Sequence, residues 1–402
     1  MLATYIPASS SASMASAPGP GRIAFLLLFP GFFFYQTLIG MGALGAFLGG
    51  YFAIVSIVLF FPLGYAYWIA VKKAGYRVAP TDLKFGFFLA YFFLVVAINA
   101  FFGADAITVQ THLLSILYFV NIYLIFKHVD FSDRKSMAMA VVSLLLMSGT
   151  IFYFSQGGSF QPGQIGDPKS PDSVATYQEL ARSYAMTFVA VICFTSLAIA
   201  RLALYCVAVA ALFLNGARSE LVAVLFLIPM IELYRAKSAI HVMCIFLLGL
   251  AMVGIDPQTV VANFPESRVW ELFDLSRSGS ANARHELTQH ALRTIAEHPV
   301  LGDYASYPPG GYSHNILSAW VDLGAFGFAY MLFMLVHTTV KLITGGWLVR
   351  ARSSQFLLAW SLMCMSLLLL VTAKTFDDMF AGAAMGAYAN YRSRKRQPET
   401  CR

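Results

Sequence analysis

The chain has 402 residues, of which 58% are hydrophobic and only 12% are charged, and its mean hydropathy is +0.68. Soluble domains usually have about 45–50% apolar residues, so this composition excludes an ordinary soluble protein. We predict an all-α, polytopic membrane protein, because a helix of about 20 apolar residues crosses the hydrocarbon layer with every backbone hydrogen bond satisfied.

The first 21 residues are rich in Ser, Ala and Pro and lack the charged start and apolar core of a signal peptide. We therefore expect residues 1–21 to form a disordered cytoplasmic tail. About twelve transmembrane helices are expected after it. Their hydrophobic segments are 23–47, 50–71, 85–102, 110–126, 136–154, 184–200, 202–216, 219–234, 239–254, 314–341, 355–373 and 377–391.

The lysines and arginines set the predicted orientation, since short cytoplasmic loops retain positive charge. With an inner N-terminus, most of the 27 Lys and Arg residues fall on the inner side, including the basic tail 392–402. Both termini are therefore expected inside. One alternative is that 202–234 forms a single long helix, which would send residues 392–397 outside. The tight pair, with Arg218 in a turn that dips below the outer surface, is preferred.

Two polar segments separate the predicted helices on the outer side. Residues 155–183, within the membrane region 22–254, are rich in Gly and Pro and are expected to form a mobile flap. Residues 255–313 form a second loop that is too long for a mere connection, and we expect it to be partly helical and to carry function. Within it, 283–299 has helical periodicity and ends at a proline. The last membrane helices occupy 314–391.

Arg284 is a candidate anion-binding residue in that helix. At 100° per residue it falls on the apolar stripe of Leu287, Ala291 and Ile295, whereas Arg293 points to the opposite side. An arginine on a buried face requires an anionic partner, such as the phosphate of a lipid or substrate.

His314 is the candidate general base, in the sequence SHN that precedes an apolar helix. We predict Ser313 as N-cap and His314 and Asn315 in the first turn, where the helix dipole disfavours imidazolium and keeps histidine able to accept a proton. The alternative is that His314 and Asn315 merely satisfy a helix end. Arg218, Arg284 and His314 on one side of the membrane favour catalysis, because interfacial charges of this kind are costly.

Weaker predictions concern residues near these three. The weaker candidates for substrate binding are Asn315, Glu220, Arg182 and Tyr177. Glu220 is alternatively expected to orient Arg218 or to stabilise its helix start. A structural role is expected for the three aspartates, Asp322, Asp377 and Asp378. Gly45 with Gly49, and Gly382 with Gly386, have the spacing of close helix contacts.

No metal or other cofactor is predicted. The histidines of HELTQH are five positions apart, His285 and His290, which places them about 140° apart on a helix instead of on one face. The five cysteines form no C-x-x-C pair.

Three motifs in order resemble the bacterial O-antigen ligase and polymerase superfamily. They are NGARSE at 215–220, RHELTQHALRTIAEHPVLG at 284–302 and SHNILSAWVDLGAFG at 313–327. The resemblance covers about residues 205–340 and agrees with the twelve-helix topology. Ala217 departs from the pattern, since a small hydroxyl residue often precedes the arginine.

The resemblance implies a glycosyltransferase of the Gram-negative inner membrane with a periplasmic active site. Its donor would be a glycan on undecaprenyl pyrophosphate, and a ligase would transfer that glycan to a hydroxyl of the lipid A-core glycolipid, in lipopolysaccharide assembly. Carried over by motif, Arg218 and Arg284 would bind the pyrophosphate and His314 would take the acceptor proton. The transfer would invert the anomeric centre without a metal. Membrane lipids are the other expected partners, and no nucleic acid is expected.

Two alternatives to the ligase are kept. A polymerase would use a second lipid-linked repeat unit as acceptor. A transporter of lipid or glycan is also polytopic, but it would be expected to have internal repeats and ionisable residues near mid-membrane. We favour the ligase.

Overall fold

The computed structural model describes residues 19–155, 158–169, 171–236, 279–307, 311–349 and 353–396, and longer regular structure within these ranges is helical. The helices are α1 (Pro20–Gly40), α2 (Phe52–Lys73), α3 (Pro80–Phe101), α4 (Ala106–His128), α5 (Arg134–Phe154), α6 (Tyr177–Phe194), α7 (Ala198–Asn215), α8 (Arg218–Arg235), α9 (Gly279–Glu297), α10 (Leu317–Leu342), α11 (Ser354–Thr372) and α12 (Met379–Arg396). A π-helical turn at Leu27–Gly31 interrupts α1, and another, Ile343–Trp347, extends α10.

Eight helices in the described ranges are long and apolar enough to cross a membrane: α1 to α5, α7, α10 with its extension, and α11. The chain is therefore compatible with a polytopic membrane protein, as expected from composition. Every predicted hydrophobic segment except 239–254 coincides with a helix, and 239–254 lies outside the described residues. The predicted total of twelve spans stays a prediction.

Several predicted boundaries are wrong. α1 ends at Gly40 instead of 47, and α12 continues to Arg396, into the segment predicted as a tail. α6 begins at Tyr177, inside the predicted flap, because Thr176 and Glu179 form a capping box that starts the helix there. Residues 1–18, much of the loop 255–313 and the last six residues, 397–402, lie outside the described residues.

Helices α6 and α12 are packed inside the bundle, although neither is among the eight helices that are long and apolar enough to cross a membrane. Nearly all of α6 from Leu180 to Cys193 is buried, and α12 packs along α4 and α11. A Cβ on Gly386 would lie 2.3 Å from the backbone oxygen of Tyr123, so the predicted close contact of the second glycine pair is confirmed. The prediction for the first pair, Gly45 and Gly49, is wrong, since both lie in the non-helical segment after α1.

The tight pair predicted at 202–234 is confirmed as α7 and α8. Gly216 has φ 75° and ends α7 in the left-handed conformation, which glycine adopts without steric penalty. Arg218 then begins α8. This reversal places the end of α7 and the start of α8 at the same end of the bundle.

Helix α9 confirms the helical prediction for 283–299 and is fixed to α10 by short backbone contacts. Gly302 has φ 72°, and its Cβ position lies 2.2 Å from the oxygen of Val321, so no larger residue fits. Gly324, with φ 71°, approaches the oxygen of Val300 in the same way. Hydrogen bonds from Asp303 N to Val321 O, 2.8 Å, and from Ala325 N to Val300 O, 2.9 Å, complete the junction.

The starts of α6, α8, α10 and α12 and the ends of α7 and α11 meet at one end of the bundle. Contacts among these termini define it: Lys374, after α11, reaches Glu220 at the start of α8, and Phe376 N donates to Ser318 Oγ in α10. We call this the upper end. It holds the residues that the sequence singled out.

Candidate active site

A buried ion cluster joins α6, α8 and the α11–α12 connection at the upper end. Lys374 Nζ lies 2.7 Å from Glu220 Oε1, and the Arg182 Nε lies 4.0 Å from the same oxygen and 3.7 Å from Asp378 Oδ2. The Glu220 side chain is fully buried and Lys374 nearly so. Burial lowers the pKa of Lys374, while the carboxylate of Glu220 favours its charged form. The cluster combines two cations with two carboxylates.

Arg218 occupies the first position of α8, two residues before Glu220. The sequence suggested Glu220 as a partner for Arg218 or as a helix-start residue. In the structure the Glu220 carboxylate contacts Lys374 and accepts a hydrogen bond from Ser219 Oγ at 2.7 Å. Glu220 therefore fixes the α11–α12 connection to the start of α8.

His314 lies just before α10, so its predicted place in the first turn of that helix is wrong. α10 begins at Leu317 after Ile316, and Ser313 does not cap it. Instead, Ser313 Oγ donates to Asn315 Oδ1, which also accepts from Leu317 N at 3.0 Å. His314 therefore lies in the turn formed by these residues, outside the first turn of α10.

The imidazole of His314 is partly buried between Tyr312 and the end of α11. Its ring centroid is 4.5 Å from that of Tyr312, and Nδ1 lies 3.3 Å from Ala373 O. In the tautomer that donates this hydrogen bond, Nε2 keeps a free lone pair. The structure thus contains a histidine arranged to accept a proton on Nε2.

Burial lowers the pKa of His314 to about 4, and the positive charge of Arg284 adds to the effect. The charges of Lys374 and Arg182 lower it further, against a favourable contribution from the Ala373 carbonyl. His314 is therefore neutral at physiological pH. Three cations therefore act on one imidazole, although Lys374 and Arg182 each lie beside a carboxylate of the ion cluster.

Helix α9 brings Arg284 to this group. Arg284 is half-buried whereas Arg293 is exposed, as the helical periodicity predicted. The Thr288 hydroxyl donates to Arg284 O at 2.8 Å and lies 3.4 Å from Asn315 Nδ2. Asn315 thus links α9 to the turn that contains His314, a positioning role.

A cavity of about 610 Å³ opens beside this site, lined by α1, α2, α4, α6, α10, α12 and the described residues 305–307 and 311–312 before α10. Arg182 and Tyr312 line it, and Tyr312 also touches His314. Tyr177, predicted as a substrate contact, lies outside the cavity wall and accepts a hydrogen bond from Gln178 at 3.3 Å.

The three aspartates also lie at the cavity. Asp322 accepts a hydrogen bond from Ala305 N at 3.3 Å, and Asp378 accepts from Phe380 N at 3.0 Å at the start of α12. Asp377 accepts from Ser115 Oγ at 2.7 Å. Structural roles predicted for them agree with these bonds, yet all three line the cavity.

Three residues at this site were missed by the sequence argument. Lys374 was not singled out, because a lysine near the end of an apolar helix is ordinarily an interfacial residue and gives no sign of a buried carboxylate partner. Tyr312 is adjacent to His314 in space and nearly so in sequence. His112, whose Nδ1 lies 2.9 Å from the Tyr304 hydroxyl, is a buried polar residue of α4 that only the fold brings to the cavity.

Comparison with known proteins adds no identification: no protein-family description and no curated sequence matches this chain.

Proposed function

We propose that this chain is a glycosyltransferase that moves a glycan from undecaprenyl pyrophosphate to a hydroxyl of lipid A-core, as an O-antigen ligase. The observation that carries the proposal is the His314 imidazole packed between Tyr312 and the Ala373 carbonyl, where burial and the charges of Arg284, Lys374 and Arg182 lower its pKa. A proton acceptor beside several cations suits a reaction in which a hydroxyl attacks and a pyrophosphate leaves.

The proposed reaction forms one bond and breaks one at the anomeric carbon. The acceptor oxygen attacks from the face opposite the leaving group, its proton passes to Nε2 of His314, and the pyrophosphate departs with the electron pair of the broken C–O bond. The configuration is inverted. Arg284 and Arg218 bind the pyrophosphate, since guanidinium pairs well with phosphate oxygens, and these cations offset the growing negative charge without a metal ion.

The depressed pKa of His314 fits this order of events. A base with a pKa of about 4 is weak in the free protein, where burial and then the nearby cations disfavour imidazolium. Binding of an anionic pyrophosphate offsets their charge and raises the proton affinity of His314. The base therefore strengthens only when the donor is present, which limits proton transfer in its absence.

The finer topology belongs to the same proposal. Twelve spans, with both termini in the cytoplasm, place the upper end at the periplasmic face of a Gram-negative inner membrane. Lipid-linked donors and lipid A-core then reach the site laterally from the surrounding membrane lipids.

A reconstituted assay tests the proposal. Purified protein in detergent is mixed with polymer-linked undecaprenyl pyrophosphate, lipid A-core and EDTA, and the glycolipid product is resolved on a gel. We expect polymer-bearing core. Detergent solution has no two compartments, so a transporter forms no new glycoside there. Absence of product from folded, monodisperse protein contradicts the proposal.

The lipopolysaccharide of a deletion strain distinguishes a ligase from a polymerase. A strain lacking this protein should lose all long chains from its lipopolysaccharide while polymer remains on the undecaprenyl carrier. Core that bears single repeat units would identify a polymerase instead.

A further inference from the structure

The cavity beside His314 has walls of two kinds. Aromatic side chains form one part of its lining: Phe29, Phe32, Phe52 and Phe376. Carboxyl groups form another: Glu179, Asp322, Asp377 and Asp378. Threonine, serine and tyrosine side chains add hydroxyl groups to the lining. Its volume of about 610 Å³ is in the range of about 300–1,000 Å³ typical of small-molecule sites.

The charge of this lining is unsuited to an anion. Among the described residues that form it, Arg182 is the one permanent cation, and Asp378 and Glu220 already lie 3.7 and 4.0 Å from its Nε. Arg284 and Lys374, which act on His314, are not part of the lining. A phosphate or carboxylate placed in the cavity would face carboxyl groups with little cationic compensation.

Asp322 provides an acceptor that the protein itself leaves open. Its side chain is only 6% exposed, and within the described residues its one hydrogen bond comes from Ala305 N to Oδ1, at 3.3 Å. The second carboxyl oxygen has no donor among these residues, and because it is not one of their fully buried unpartnered atoms, it keeps some accessible surface. Because Asp322 lines the cavity, a ligand with hydroxyl groups can supply that donor.

The combination of acceptors and aromatic rings matches a sugar. Ring hydroxyls donate to carboxyl oxygens, while the weakly positive C–H groups of a pyranose face pack against the negative face of an aromatic ring. Tyr312 lies at the boundary, lining the cavity and contacting the His314 ring at 4.5 Å between centroids. A sugar in the cavity is therefore separated from the proposed base by a single side chain.

We infer that this cavity binds a pyranose ring of a neutral or amino sugar and discriminates against rings that carry phosphate or carboxylate. Taken with the proposed function, on which this second part rests, the acceptor sugar unit carries no anionic substituent. The pyrophosphate of the donor then lies on the Arg284 and Lys374 side of Tyr312.

Binding of matched sugar pairs tests the inference without any transfer reaction. Saturation-transfer NMR on the full-length protein in detergent compares methyl galactoside with methyl galacturonide, and glucose with glucose 6-phosphate. We expect each neutral sugar to bind at least about tenfold more tightly than its charged partner, a difference of about 1.4 kcal/mol. Equal or tighter binding of the charged sugars, or no binding of either neutral sugar at tens of millimolar, overturns the inference.

Variants locate the bound sugar. Asp377→Asn and Asp322→Asn should each weaken methyl galactoside binding at least about fivefold, because each alters a carboxyl group of the lining. Asp130→Asn is the matched control, since Asp130 is paired with Arg394 at 3.0 Å on a half-exposed surface away from the cavity. Unchanged affinity in folded Asp377→Asn protein would contradict the location, even if the buried Asp322 variant fails to fold.

A competition experiment decides whether the bound sugar ring belongs to the acceptor or to the donor glycan. If the ring belongs to the acceptor, methyl galactoside binds equally well with and without saturating lipid-linked glycan donor. If the ring belongs to the donor glycan, the donor displaces it. Either result retains a sugar site, but only the first retains the assignment to the acceptor. Loss of transfer activity with binding intact would count against the proposed function alone.

Discussion

The pair formed by Lys374 and Glu220 should be a main determinant of stability at the upper end. Its charges are 2.7 Å apart, which corresponds to about 6 kcal/mol of attraction at an effective dielectric constant of about 20, offset by desolvation of both groups. Lys374→Met leaves the buried carboxylate with Arg182 at 4.0 Å as its remaining cation. Because loss of one partner of a buried pair costs about 3–5 kcal/mol, and Arg182 compensates in part, we expect about 3 kcal/mol.

A double-mutant cycle separates the pair from the individual residues. Lys374→Met leaves the Glu220 carboxylate buried without its lysine partner, and Glu220→Gln removes that charge. The double variant should therefore be about 2 kcal/mol more stable than the sum of the two single changes predicts. Equilibrium unfolding of purified protein in mixed detergent micelles measures all three variants. Lys84→Met is the control, because Lys84 Nζ lies 3.4 Å from a nitrogen of His337 and has no carboxylate partner among the described residues.

The reasoning is refuted by either of two results. The first is that Lys374→Met is no more destabilising than Lys84→Met, a variant expected to lose less than about 1 kcal/mol. Alternatively, strictly additive effects of Lys374→Met and Glu220→Gln would mean that the two side chains do not stabilise each other.

Two further predictions concern His314 and the packing of α12. Arg284→Gln should raise the pKa of His314 above about 4, because it removes a positive charge that disfavours imidazolium. The pH titration of histidine NMR signals measures this pKa. Arg293 is exposed, so Arg293→Gln should leave the pKa of His314 unchanged. Gly386→Leu should destabilise the protein by more than about 2 kcal/mol, since a Cβ at this position would lie 2.3 Å from the backbone of α4. Gly86 has open space around its Cβ position, so Gly86→Leu should cause no such loss of stability. Equal melting temperatures for the two leucine variants would contradict this packing.

The helices could largely be predicted from hydrophobicity, because membrane-length apolar segments are long and few other structures accommodate them. The positions at which the helices end could not be predicted from hydrophobicity. The capping box of Thr176 and Glu179 extends α6 into a polar segment, and the α1 helix ends at Gly40 although apolar residues continue. The same glycine spacing marks a close contact at Gly386 and nothing at Gly49, since only the former lies in a packed helix.

The site was partly predictable for a related reason. Arg284 could be placed on a buried face because helical periodicity relates residues close in sequence. The partnership of Glu220 with Lys374 joins different helices, and no local pattern encodes it. His314 was identified by its neighbours in sequence, but its low proton affinity comes from burial and from cations that only the fold brings near.

Single-turnover transfer by His314→Ala tests the central claim most directly. The matched control is His285→Ala, which replaces an exposed histidine of α9. With lipid-linked glycan bound to the protein beforehand and lipid A-core added, we expect the His314 variant to transfer about 10²- to 10⁴-fold more slowly than the control, with donor affinity changed less than about twofold. A transfer rate equal to that of the control would contradict the assignment of His314 as the base.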